Sequence, residues 1–118
     1  MRSRRTWAAV VAVLVGSATL VGCSGDDSGS SEPVVVEVTF ADGDVTPKGE
    51  RVEASTDQPI DFEITADEPG TIHVHSVPEQ EFDYGAGSST HEITVDKPGL
   101  VDVESHHLDQ VIVQLEVS

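Results

Sequence analysis

The sequence predicts an all-β domain, an antiparallel β-sandwich of seven or eight strands, and three observations carry that expectation. Apolar side chains recur with period 2 from residue 34 onward. Turn signals built from Gly, Pro and Asp return about every 8–12 residues, the spacing of a sandwich of short strands. No stretch offers an amphipathic helix of useful length. Val34, Val36, Val38 and Phe40 fall on one face of the first predicted strand, and residues 41–44 turn the chain. A weaker strand is centred on residues 51–54. Asp57, Gln58 and Pro59 turn into residues 60–65, where Ile60, Phe62 and Ile64 alternate with Asp61, Glu63 and Thr65. Residues 67–70 turn again, residues 71–76 form the next strand, and residues 81–84 form a short one ahead of Gly85, Ala86 and Gly87. Strands at 91–95, 100–103 and 111–117 complete the set.

The residues ahead of this domain follow a different logic. Arg2, Arg4 and Arg5 precede an unbroken apolar run at 7–15, and small or polar residues fill 16–19. That order is a secretory leader, and its apolar run is too short for a comfortable membrane span. Leu20-Val21-Gly22-Cys23 resembles the bacterial lipobox, whose cysteine is diacylated on sulfur and becomes the new N-terminus after cleavage. The resemblance implies a signal peptide at 1–22, lipidation of Cys23 and an anchor in the outer face of the cytoplasmic membrane. Each buried methylene of the acyl chains would add about 0.8 kcal/mol of retention. Residues 23–32, rich in Ser, Gly and Asp, read as a flexible linker that holds a domain at 33–118 off the membrane.

Charge excludes whole classes of partner. The chain carries 22 acidic and 6 basic side chains, a formal net charge of -16. Loss of the leader leaves only Lys48, Arg51 and Lys97 against every acid. Nucleic acid is therefore not a partner, because phosphate affinity needs a basic face. Attraction to anionic headgroups fails on the same ground, so membrane contact rests on the lipid anchor. A single cysteine excludes an intrachain disulfide and any Cys-rich metal site.

Gln58-Pro59 leading into a strand, a His-bearing strand, Asp96-Lys97-Pro98-Gly99 followed by residues 100–104, a His-containing loop and the strand 111–117 together resemble the cupredoxin-like Greek-key β-sandwich. The resemblance spans 33–118. It implies a copper-site cysteine where this chain has Ser105, and no methionine exists beyond Met1. A blue-copper centre needs thiolate and two imidazoles, so the chain makes none. It is similar instead to bacterial lipoproteins and iron-transport-associated domains that keep this fold without the copper cysteine.

Five histidines supply other donors. His73 and His75, two residues apart on a predicted strand, project from one face. His106 and His107 occupy the loop that, in the resembling fold, lies against that strand's end. Three imidazoles from these places, with an oxygen from Glu104 or Asp109, suit Cu(II) or Zn(II). Ligation needs neutral imidazole, so occupancy would fall below about pH 6. The alternative is that these histidines are structural or simply solvated. His91 sits elsewhere and is given no ligand role. An enzyme is not expected: Ser88 and Ser89 lie near His91, but no nucleophile elbow or phosphate loop accompanies them. Two functions follow from this reading. One is a tethered metal-binding protein with a His cluster at the sandwich rim. The other is a metal-free cupredoxin-like module that displays its loops to a membrane transporter or sensor. An accessory role in iron uptake rests on the resemblance alone.

Overall fold

A computed structural model describes residues 32–118. The expected signal peptide, the lipidated Cys23 and all of the linker but Glu32 lie outside the described residues. Nine strands follow in order, and no helix occurs among the described residues: β1 (Val34–Ala41), β2 (Asp44–Thr46), β3 (Glu50–Ala54), β4 (Ile60–Ala66), β5 (Gly70–Val74), β6 (Gln80–Tyr84), β7 (Gly87–Ile93), β8 (Gly99–Ser105) and β9 (Gln110–Val117). They form a four-stranded sheet, β2-β1-β4-β7, facing a five-stranded sheet, β3-β9-β8-β5-β6.

The period-2 pattern decides which side chains meet between the sheets. Val36, Val38 and Phe40 of β1 and Ile60, Phe62, Ile64 and Ala66 of β4 are buried, while the residues between them face outward. Ile72 and Val74 of β5, Val101 and Val103 of β8 and Val113, Leu115 and Val117 of β9 close the core from the other sheet. The sandwich is thus as expected, with two refinements. β1 pairs with β4 in parallel, Val34 opposite Ile60 through Phe40 opposite Ala66, and β3 pairs in parallel with β9. Both arise because β3 leaves the first sheet for the second before β4 returns, so strands that are not neighbours in sequence become neighbours in space.

The strand count rises to nine for local reasons. Asp42 and Gly43 both hold positive φ, 55° and 74°, which makes a tight hairpin of an Asp-Gly pair and adds the three-residue β2. The Lys48 ammonium lies 2.6 Å from Asp44 Oδ1 at that hairpin and holds the carboxyl below its ordinary range. β7 begins four residues before the predicted start, because Ser88, Ser89 and Thr90 pair with Thr65, Ile64 and Glu63 without any apolar alternation to announce them. The unbroken run Val111-Ile112-Val113 has its own cause. Val103 pairs with Val113 but Glu104 with Val111, so Ile112 is the extra residue of a bulge and is buried beside Val113.

Candidate metal centre

β5 lies one strand in from the β6 edge of its sheet, between β6 and β8. Because Ile72 and Val74 point into the core, His73 must point out, opposite Glu81 of β6 on one side and Glu104 of β8 on the other. His75 follows on the same face, held by its backbone N–H, which donates to the Asp102 carbonyl at 2.9 Å. Each imidazole then meets carboxylates. His73 Nδ1 is 3.2 Å from Glu79 Oε1, and its Nε2 is 3.2 Å from Glu81 Oε2. His75 Nε2 is 2.8 Å from Glu104 Oε2, and its Nδ1 is 4.0 Å from Glu79 Oε1.

The loop after β8 splits its two histidines. The His106 N–H donates to the Thr71 carbonyl at 3.1 Å, and its ring stacks on His73 with centroids 4.7 Å apart. The His73 and His75 rings lie 6.3 Å apart. His107 turns instead toward Phe40, 6.3 Å away, and toward Gly70 at the end of the sandwich. The structure therefore brings together His73, His75 and His106 on the solvent face of the five-stranded sheet, with His75 just past the end of β5 and His106 just past the end of β8. Glu104 stands in this cluster, and Asp109 makes no contact with it. Glu79 and Glu81 are the participants that sequence reasoning missed. His91, on β7, stacks on Phe82 at 4.7 Å with its Nε2 3.2 Å from Ser89 Oγ.

Two polar side chains point the other way, into the core. Ser105 is fully buried opposite Ile72, and its hydroxyl has no hydrogen-bond partner among the described residues; neither has that of Tyr84, which is 3% exposed. Tyr84 stacks on Phe40 at 4.7 Å and lies over Gly70. Burial, and then the charge of Asp67, push its phenol above the ordinary tyrosine value. The fold thus favours the neutral form. Stability is full below about pH 10, where the unfolded chain's tyrosine titrates, and is lost as pH climbs toward the folded value. Tyr84→Phe is expected to flatten that alkaline limb in urea melts run at pH 8 and pH 11. It should also raise stability at neutral pH by on the order of 1 kcal/mol, since an unpartnered buried hydroxyl is removed.

The donor set decides which ion fits. Ser105 supplies no thiolate, and no cysteine or methionine occurs among the described residues, so a blue-copper centre does not fit. Imidazole and carboxylate on an open face suit Cu(II) or Zn(II). Among the described residues no three His, Cys, Asp or Glu side chains already stand in ligating positions. An ion could be held here only after side-chain rotation, for which His75 (44% exposed) and Glu79 (57%) have room.

The domain is a cupredoxin-like β-sandwich. No family model and no curated protein matches the sequence, but solved structures match the fold. An amicyanin mutant in its Cu(I) form superposes with a TM-score of 0.54 at 9% identity, over 71% of this chain and 82% of that one. The purple cupredoxin from Nitrosopumilus maritimus gives 0.52 at 14% identity, over 72% and 99%. Fet3p, a multicopper oxidase that functions in iron import, gives 0.55 at 12% identity, over 74% of this chain and 23% of that protein. At these identities the likeness is one of fold.

Proposed function

We propose that this chain is a membrane-anchored extracytoplasmic lipoprotein whose cupredoxin-like domain binds Cu(II) or Zn(II) through His73 and His75, with His106 packed against His73. The observation that carries this reading is the gathering of three imidazoles and the carboxylates of Glu79, Glu81 and Glu104 on one exposed face. Nothing in the core requires this. Burying Ile72 and Val74 sets which way residues 73 and 75 point, but not that both are histidines or that carboxylates from two neighbouring elements flank them. The Arg-rich start and Leu20-Val21-Gly22-Cys23 support the anchor, and the Cu(I) amicyanin that shares the fold supports a metal-binding reading of the domain.

Calorimetric titration of the full chain in mild detergent at pH 7.5, with Cu(II) and with Zn(II), tests the reading. One ion should bind per chain, and His73→Ala/His75→Ala should weaken it by at least 100-fold with the melting temperature little changed. The carboxylates of Glu79 and Glu81, which already stand 3.2 Å from the two ring nitrogens of His73, favour the second reading, a metal-free module for a membrane transporter or sensor. Weak binding that is the same in the double variant would establish that surface carboxylates, not this cluster, take up the ion, and would leave the second reading standing.

A further inference from the structure

The two nitrogens of each imidazole face different surroundings, and the difference repeats. Both Nε2 atoms meet carboxylates from flanking strands, Glu81 on β6 for His73 and Glu104 on β8 for His75, at 3.2 and 2.8 Å. Both Nδ1 atoms look toward one oxygen, Glu79 Oε1, at 3.2 and 4.0 Å. Glu79 comes from the short connection between β5 and β6, so it reaches the pair from the end of the strand and not from its side.

We infer that the ion is held between His73 Nδ1 and His75 Nδ1 with the Glu79 carboxylate as its oxygen ligand, while Glu81 and Glu104 are positioning residues on the opposite ring nitrogens. This rests on the metal-binding reading above. Imidazole that ligates a metal through one nitrogen characteristically donates its other N–H to a carboxylate, which fixes the tautomer and the ring orientation. Glu81 and Glu104 stand where such partners stand. Donors bound at about 2.0–2.1 Å around a tetrahedral ion lie roughly 3.3 Å from one another, and the His73 Nδ1–Glu79 Oε1 hydrogen bond, at 3.2 Å, already has the length of such an edge. The 4.0 Å to His75 Nδ1 is longer, and closing it needs a rotation of His75, an exposed side chain beyond the end of β5. His106 covers one face of the His73 ring and is a packing neighbour in this arrangement, not a ligand. Two nitrogens and one oxygen leave a coordination position for water, the donor set of an exchangeable site and not of a closed structural one.

The test pairs affinity with a direct view of the ligating atom. Full chain in detergent is titrated with Zn(II) and with Cu(II), and long-range proton–nitrogen NMR correlations of the Zn(II) form identify which imidazole nitrogen is bound. Nδ1 ligation at both His73 and His75 is expected. Glu79→Gln should weaken binding 10- to 100-fold and alter the Cu(II) electron paramagnetic resonance parameters, because an oxygen ligand changes. Glu81→Gln and Glu104→Gln should weaken it about tenfold and leave those parameters in place. His106→Ala should change affinity less than threefold. Nε2 ligation, or unchanged affinity in Glu79→Gln, overturns this assignment while the loss of binding in His73→Ala/His75→Ala still upholds the metal site. Unchanged binding in that double variant overturns both.

Discussion

Gly70→Val is expected to destabilise the domain by about 2–3 kcal/mol, although valine is the better strand residue. A Cβ at Gly70 would fall on the Tyr84 hydroxyl, and lie 2.6 Å from Tyr84 Cζ and 2.9 Å from His107 Cε1. Tyr84 cannot retreat cheaply: it is buried and stacked on Phe40, so moving it opens the end of the core. Its clash with a new side chain is a pairwise effect, and a double-mutant cycle isolates it. In a Tyr84→Leu background the same substitution at Gly70 should cost less than 1 kcal/mol, read from urea midpoints. A cost that is equal in both backgrounds would place the strain in the backbone and not in the ring.

Phe62→Ala should cost more, about 3–5 kcal/mol, against the total of about 5–15 kcal/mol that holds a domain of this kind folded. Phe62 is completely buried in β4, opposite His91 of β7 and with its ring 5.8 Å from that of Phe82 across the interior. Truncation leaves a void lined by strands of both sheets, which are held by long ladders and have little freedom to collapse inward. Thermal melts should show the midpoint fall steeply. Phe62→Leu, which keeps most of the volume, should retain the greater part of the stability.

Most of the sandwich was legible because burial and period 2 coincide. Ile60-Asp61-Phe62-Glu63-Ile64-Thr65 says which face is inside, and β4 obeys it at every position. The start of β7 is hidden because Ser88, Ser89 and Thr90 are placed by their partners on β4, and a ladder between strands leaves no trace in one strand's own alternation. The parallel pairings were equally hidden, since they depend on which sheet β3 joins. In the cluster, His73 and His75 could be recognised from their spacing, but Glu79 and Glu81 could not without the β5–β6 register. With His73 opposite Glu81, the hairpin folds about Val77 and carries Glu79 back toward His75. His106 and His107 look equivalent in sequence. The Thr71 carbonyl that takes the His106 N–H sends them to opposite faces of the sheet.

The strand order also bears on how copies behave when crowded. β3 and β6 are the unpaired margins of the five-stranded sheet, and they carry Glu50 and Glu53 on one and Glu81 and Asp83 on the other. A second molecule that tried to continue the sheet at β6 would bring carboxylates against carboxylates, a barrier natural sheets use against edge-to-edge growth, and at β3 the one cation, Arg51, already leans on Glu116 of its own chain and leaves the margin acidic. Chains packed densely on a surface would therefore not join through this sheet at neutral pH. Strong acid, which neutralises these side chains, would remove the barrier and expose bare ladders able to zip copies into fibres.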